Sequence, residues 1–482
     1  MTGPSLVWFR KDLRLSDNPA LQAAIARGGP VVCVFIRDEA TSGALPVGGA
    51  AAWWLHHSLA ALADDIAARG GTFILKSGEP PTIIPDLCRE FDIEAVFWNR
   101  CYEPEAVARD MNLKTDLKDR GFYVESFNGS LLREPLEVKT KAGGAYGVFT
   151  PFWKALCAMG DPPRPVAAPD VLPGLPTDRS GDDLEDWSLL PTKPDWSGGL
   201  QESWSPGESG ARARLSDFLE SSVARYGDRR NRPDLDGTSR LSPHLAFGEL
   251  SPREIWHIAR DAAHREGGQA ESGIWSFLRE IGWRDFNHNL LFHNPEMPVR
   301  NYNEKFDAFP WLDNEDALKR WQKGRTGYPM VDAGMRELWH TGFIHNRVRM
   351  VAASFLVKHL LIDWRHGEAW FRDTLVDADL ANNVANWQWV AGCGADAAPY
   401  FRIFNPIGQG EKFDPDGTYI RRWIPEIAAL PDKYLNEPWT APDSVLDEAG
   451  IDLGRTYPKP IVEHKRARER ALSAYDEIKG AA

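Results

Sequence analysis

Residues 161–183 read DPPRPVAAPDVLPGLPTDRSGDD, and residues 191–200 read PTKPDWSGGL. A stretch so rich in Pro, Gly, Asp and Ser builds little regular structure, so Asp161–Gly207 is read as the break between two domains. Four large apolar residues inside it, Trp187, Leu189, Leu190 and Trp196, predict that it wraps the surface of the first domain instead of running free.

Upstream of the break, short apolar runs fall at 5–9 (SLVWF), 30–36 (PVVCVFI), 72–75 (TFIL), 94–98 (EAVFW) and 122–127 (FYVESF). Helix-length segments such as Ala50–Arg69 and Glu105–Arg120 separate them. Strand and helix in alternation predict a doubly wound parallel α/β sheet. Asn18 is placed to cap the first helix, with Pro19 in its first turn. No GxGxxG follows the first strand, so no dinucleotide binds there by the glycine fingerprint. Downstream, 211–226, 251–266, 272–292, 314–324, 331–342, 345–361 and 367–377 all carry apolar faces of period 3.6, and no strand pattern competes. The reading is an α/β domain over 3–132, an interdomain segment over 133–206 and an all-α domain over 207–482.

With 482 residues there is ample chain for two cores, and 43% hydrophobic with 26% charged residues is ordinary for a globular protein. No apolar run reaches the roughly 18 residues of a membrane helix. Arginines inside the apolar start MTGPSLVWFRKDLRLS rule out a secretory signal. The five cysteines are scattered without ligand spacing, which suits a reducing cytoplasm and excludes a disulfide framework or structural zinc. Neither HExxH nor a phosphate-loop motif is present, so zincin and P-loop chemistry are excluded. The net charge of −13 argues only weakly against nucleic acid. Charges are screened over about 8 Å at physiological salt, so local arginine groups such as Arg229, Arg230 and Arg232, or Arg347 and Arg349, matter more than the total. Tryptophan is the unusual count, at 20.

Asp377–Pro406, DADLANNVANWQWVAGCGADAAPYFRIFNP, sets amides beside large indoles. On a helix Asn383 and Trp387 share a face, whereas Trp389 points roughly 200° away from Trp387. One short helix then serves a planar ligand on one side and a second surface on the other, although by itself it reads equally well as tryptophan-rich core. Glu280, Trp283, Arg284 and Asn287 form one stripe, and a Glu among indoles needs a partner or a ligand. Asn346 and Met350 share a further face beside Arg349, which is placed to pair with Asp377. Thr238, Ser239 and Ser242 precede a helix with Pro243 in its first turn, which reads either as an anion site or as plain capping. Together these helices imply a polar and aromatic cavity.

The segments WFRKDLRLSDNPAL (8–21), RRNRPDLDGTSRLSPHLAFGELSPR (229–253), WRDFNHNLL (283–291), GYPMVDAGMRELWHTGFIHNRVRM (327–350), Asp377–Pro406 and DPDGTYIRRWIPE (414–426) occur in this order. On them the chain resembles the photolyase/cryptochrome family, specifically its DNA photolyases for cyclobutane pyrimidine dimers. The resemblance implies an α/β antenna domain and a helical domain holding a U-shaped FAD. It implies cofactor contacts from Tyr226, Thr238, Ser239, Arg240, Leu241, Ser242, Phe277, Glu280, Arg284, Asn287, Asn346, Arg349, Asp377, Asp379 and Asn383, the last facing the flavin N5. Trp387, Trp364 and Trp311 match a relay that photoreduces the flavin. Glu280, Trp283, Asn346, Met350 and Trp389 match the dimer pocket, and Arg230, Arg347 and Arg402 match phosphate contacts. The implied reaction is light-driven repair, in which excited reduced FAD gives an electron to a flipped-out dimer and receives it back. The implied partner is DNA containing such dimers, met by a monomeric cytoplasmic enzyme without a metal.

The implied rival is a cryptochrome that senses blue light without repair. The end of the chain at Ala482, with no long tail after the helices, sets the expectation toward repair. For the antenna, folate-binding relatives carry Asn-Glu after the fourth strand where this chain has Glu105 and Ala106. GGAAAWWLHHSLAAL (48–62) resembles bacterial class III photolyases, which place folate elsewhere. The expected antenna is 5,10-methenyltetrahydrofolate in such a site, with a deazaflavin or an empty antenna as alternatives.

Overall fold

A computed structural model describes residues 2–38, 41, 43, 45–175, 181–266, 268–397 and 401–479. Its first part is a parallel sheet of β1 (Ser5–Phe9), β2 (Val31–Arg37), β3 (Thr72–Ser77), β4 (Ala95–Asn99) and β5 (Tyr123–Phe127), ordered β3-β2-β1-β4-β5. In register, Val7 lies between Cys33 and Phe97. Side chains alternate between two faces, as a period of two requires. Val7, Phe9, Cys33, Phe35 and Phe97 build one core, and Leu6, Trp8, Val34, Val96 and Trp98 build the other. Both faces are covered by helices, which is why the strands read as continuous apolar runs. The helix Pro19–Arg27 starts as expected, with the Asn18 side chain accepting from the Leu21 N–H at 3.1 Å and proline in the first turn.

The Pro-rich stretch does wrap this domain. The Asp17 N–H donates to Val166 O, Val31 to Pro173 O, Leu172 to Arg69 O and Asp182 to Leu75 O, all at 2.7–2.8 Å. Leu172, Trp187 and Leu189 complete a face of its core. Little regular structure forms there among the described residues, only a 3-10 turn at Glu185–Trp187 and the short helix Gly198–Ser203. The segment 133–206 is nonetheless divided. Its helix Phe149–Ala158 buries Phe149, Phe152 and Leu156 in the core of the helical body. The spacing i, i+3, i+7 is that of an amphipathic helix, and it outweighs the Pro-rich surroundings.

The helical body is built around Gly268–His293, Pro329–Thr341, Asn346–Ser354, Trp364–Thr374 and Leu380–Ala391. Two expected helices are interrupted. The first stops at Ser221, passes through a 3-10 turn and resumes over Tyr226–Arg229, with the Ser222 hydroxyl donating to Asp236 O at 3.0 Å. A hydroxyl that can satisfy backbone in this way competes with the helix. The second widens into a π-turn over Phe355–His359, a geometry that frequently marks functional regions.

The loop RKDLRLSDN joins the two domains. Arg14 is fully buried and donates to the carbonyls of Ser16, Asp17 and Gly129, and at 2.8 Å to Gly248 of the helical body. Arg253 pairs with Asp17 at 2.8 Å, and the Leu13 N–H donates to Phe247 O at 3.0 Å. A guanidinium whose fork is filled by fixed carbonyls loses little further entropy on ordering, which makes this a stiff joint.

Candidate functional site

Asp379 caps the helix Leu380–Ala391 by accepting from the Asn382 N–H at 2.8 Å. The cap fixes the phase of the helix, and the phase separates the two indoles. Asn383 and Trp387 both face the helix Trp364–Thr374. The Asn383 amide donates to Glu368 Oε1 at 2.9 Å and to Glu368 O at 3.1 Å. Trp387 is 2% exposed, edge-on to Phe371 at 4.9 Å and to Trp321 at 6.1 Å. A Cβ on Gly367 would collide with this indole, so only glycine lets the helices approach so closely. Trp364 is fully buried, with its indole N–H donating to Asn301 Oδ1 at 2.9 Å. Trp311 is only half-buried, 4.4 Å from Phe309. The three tryptophans expected in a relay thus comprise two core indoles and one that reaches the surface.

Glu368 was not anticipated, although it shares the stripe of Trp364 and Phe371 by the logic that singled out Glu280. Burial raises its carboxyl above the usual carboxylate range, against the opposing pull of Arg372 at 3.3 Å. Replacing Asn383 by aspartate places a second carboxylate against it, and two such groups hold a shared proton. The native state then binds more protons than the unfolded chain above the ordinary carboxylate pKa of about 4, so stability falls as pH rises. We expect Asn383→Asp to lower the melting temperature, relative to the unmodified protein, more at pH 8 than at pH 6. An equal deficit at both pH values would contradict this contact.

Trp389 is half-buried and borders a depression lined by Lys358, Phe401, Arg402 and Tyr475. Its indole N–H donates to Asp396 O at 3.0 Å. Trp283 lies flat on Phe149, centroids 3.7 Å apart and planes 9° from parallel. Asn346 is exposed and Met350 half-buried one turn further along. Glu280 and Arg230, expected in separate roles, are paired at 2.5 Å. Arg347 donates to Asn231 Oδ1 at 2.7 Å and lies over Phe413, while Arg402 lies over Phe404. Burial, with Arg402 and Arg230 close by, lowers the Arg347 pKa, so the three arginines form one positive group in an acidic protein.

On the expected cofactor side, Phe277 sits 4.8 Å from Phe218 and 5.9 Å from Tyr226. Burial, reinforced by Glu280, raises the Tyr226 hydroxyl pKa. Arg214 holds the loop through Thr238 O at 3.1 Å and Ser239 O at 2.9 Å. Leu241 is buried, and Arg240 adopts a left-handed backbone (φ 51°) with its guanidinium over Trp204. Ser242 opens a helix of only one turn, Ser242–Ala246, and caps nothing. Positive charge here comes from Arg214 and Arg240, and one helical turn adds little dipole.

Arg349 donates to Asp377 Oδ2 at 2.7 Å and to Ile344 O at 2.7 Å. His345, also unanticipated, accepts the Arg347 N–H on Nδ1 at 3.1 Å, which leaves the proton on Nε2. Burial, with Arg347 and Arg349 adjacent, lowers its pKa to about 4. Among the described residues, Asp377 Oδ1, Arg240 Nε and His345 Nε2 are buried without a partner. Such atoms are costly unless a ligand meets them. One acceptor and two donors, beside arginines, suit a molecule carrying both phosphates and N–H or hydroxyl groups, as FAD does.

Two further expected residues, Arg284 and Asp379, face the joint with the α/β domain, and a third, Asn287, is bonded within the helical body. Arg284 donates to Ser130 O at 2.5 Å, and Asn287 to Asn382 Oδ1 at 2.8 Å. Asp379 lies 3.4 Å from His288. Burial opposes ionisation of Asp379, but His288, Lys11 and Arg284 outweigh it and hold the carboxylate well below its usual range. Among the described residues no cluster of three metal-ligating side chains occurs, and no helix is long and apolar enough to cross a membrane.

The sequence matches family models described as the FAD binding domain of DNA photolyase over residues 277–477 and as DNA photolyase over residues 5–170. The deoxyribodipyrimidine photo-lyase of Agrobacterium fabrum is 53% identical over 484 residues, covering 99% of this chain and 98% of the relative. Cryptochrome-1 of Arabidopsis thaliana is 40% identical over 485 residues, covering 99% of this chain and 70% of the relative. The crystal structure of a bacterial class III photolyase from Agrobacterium tumefaciens has a TM-score of 0.96 at 53% identity, covering 99% of this chain and 98% of that one.

Proposed function

Because the chain belongs to the photolyase/cryptochrome family, we propose that it is a light-driven repair enzyme for cyclobutane pyrimidine dimers in DNA. The observation that carries the reading is the pair of indoles, Trp283 and Trp389, set beside Glu280 and the Arg230, Arg347 and Arg402 group. A dimer inside a duplex is out of reach and must be flipped out, at a few kcal/mol, less for a poorly stacked lesion. Trp283 and Trp389 stack on the extruded bases. The arginines hold the distorted backbone without reading sequence, so affinity falls with salt. Arg230 exchanges Glu280 for a phosphate, and the freed Glu280 hydrogen-bonds a pyrimidine carbonyl.

The residues that hold FAD are Arg349 with Asp377, Asn383, Phe277, Tyr226 and the Thr238–Ser242 loop. Reduced FAD, when bound, supplies under light the electron that splits the dimer and takes it back. The chain contributes position, exclusion of water and fixed charge. Trp387, Trp364 and Trp311 conduct electrons inward from the surface. Trp311→Phe therefore slows photoreduction of the oxidised holoenzyme but leaves repair by chemically pre-reduced enzyme near the unmodified rate; equal loss in both assays would contradict a separate relay.

The decisive experiment is blue-light illumination of a thymine-dimer oligonucleotide with the reduced holoenzyme. Light-dependent loss of dimers is expected. Its absence overturns the reading in favour of a light sensor, the alternative that the similarity to Arabidopsis cryptochrome-1 supports. We assign the antenna to 5,10-methenyltetrahydrofolate. Buried polar atoms of Trp53, His56 and His57 on the helix Gly49–Ala67, unpartnered among the described residues, support a heteroaromatic ligand at that helix. The absorption spectrum of the purified protein, before and after denaturation, tests both chromophores.

A further inference from the structure

Trp283 and Trp389 stand on two helices that pack together and are tied by the Asn287–Asn382 hydrogen bond at 2.8 Å, which orients the helices but touches neither ring. One loop residue connects the two rings. The Trp389 indole N–H donates to the carbonyl of Asp396 at 3.0 Å, and the carboxylate of Asp396 accepts the Phe149 N–H at 3.1 Å. The Phe149 ring in turn carries Trp283 on its face at 3.7 Å. The Phe149 N–H is one of the orphan donors in the first turn of Phe149–Ala158, so it requires an acceptor, and a carboxylate is favoured there. Asp396 comes from a position 247 residues away in sequence and holds a left-handed backbone, φ 52°. That conformation is unfavourable for most residues and persists where the surroundings over-determine it. The backing is also specific, because Phe149 lies flat on one face of the half-buried Trp283 and so fixes the plane of that indole.

We propose that Asp396 and Phe149 are positioning residues that set the gap between the two indoles, and thereby the preference for a fused pair of pyrimidines over ordinary bases. The inference rests on the lesion-pocket reading above. A cyclobutane dimer is a single rigid body, so a pair of rings held at fixed separation recognises it without an ordering penalty. Two separate bases have to be unstacked and arranged to fit the same gap. Rings free to drift by even 0.5–1 Å would lose this selectivity first, and general DNA affinity last.

The test compares dark binding of the holoenzyme to one oligonucleotide with and without a thymine dimer. Stacking on an aromatic side chain is worth about 1–3 kcal/mol per base, roughly 5- to 150-fold in affinity. Asp396→Ala and Phe149→Ala are expected to reduce the dimer-to-undamaged affinity ratio by about tenfold or more, within that range. Flavin content, photoreduction and affinity for undamaged DNA stay unchanged. Asp396→Asn keeps both acceptors and tolerates the left-handed backbone, so it retains the ratio. Asp396→Gly keeps the backbone and its carbonyl but loses the carboxylate, and falls between. An unchanged ratio in Asp396→Ala overturns the proposal, as does a loss in Asp396→Asn equal to that in Asp396→Ala. Parallel loss of flavin and of undamaged-DNA binding overturns it too, because a general structural role would then account for the effect. If the unmodified holoenzyme shows no preference for the dimer, the lesion-pocket reading itself fails, whatever the variants do.

Discussion

Replacing Arg349 by alanine is expected to strip the protein of its flavin. Its partner Asp377 has a side chain only 3% exposed, and without the guanidinium that carboxylate is left buried and uncompensated. Breaking such a pair costs about 3–5 kcal/mol, and the partial exposure of Arg349 itself places this case near the lower bound, roughly a hundredfold in any equilibrium that needs the pair. The second oxygen of Asp377 is buried and unpartnered among the described residues, so without Arg349 neither oxygen of this carboxylate has a charged partner. Arg349→Lys keeps the charge but not the fork that reaches both Asp377 and the Ile344 carbonyl, so an intermediate loss is expected. The measurement is the flavin-to-protein absorbance ratio after gel filtration, with circular dichroism as a check on the fold. Full retention of flavin by Arg349→Ala would remove this pair from the cofactor site.

The second large effect belongs to Trp283. Trp283→Ala removes the whole stacking surface opposite Phe149, and we expect dimer affinity to fall by about 1–3 kcal/mol, roughly 5- to 150-fold. Binding to undamaged DNA depends on the arginine group and moves little. Titrations at two salt concentrations separate the two contributions. The stacking loss persists at high salt, whereas loss of an arginine reduces the salt slope. A uniform drop for damaged and undamaged DNA would place Trp283 outside the lesion pocket.

Much of the fold was legible because its physics is local and repetitive. Parallel strands buried on both faces appear as unbroken apolar runs, and each run lies within two residues of the observed strand. Asn18 and Pro19 announced their helix by side-chain chemistry alone. The helices Pro406–Phe413 and Thr418–Trp423 have only 8 and 6 residues, too short for a period to show. Phe149–Ala158 was hidden by the Pro-rich residues that follow it. In the site, the half-turn between Trp387 and Trp389 came directly from helical geometry, and the Arg349–Asp377 pair suggested by charge is present. Glu280 was correctly marked as needing a partner, but the partner is Arg230, a residue of another element that no spacing rule connects to it. Asp396 left no trace in sequence, because a loop residue acting through one carbonyl and one carboxylate has no periodicity. His345 was equally silent, since its role depends on which of two ring nitrogens is already occupied.

The buried Arg14 has a consequence for how the molecule comes apart. It satisfies carbonyls of both domains at once and is fully buried while they stay together. Opening the joint gives up the Arg14–Gly248 bond together with the Arg253–Asp17 pair and the Leu13–Phe247 bond, a combined loss that ties the melting of one domain to that of the other. The α/β half and the helical half then melt in one cooperative transition, and neither is a separable module. Their mutual orientation, on which any passage of excitation between two chromophores depends, is preserved for as long as the protein stays folded.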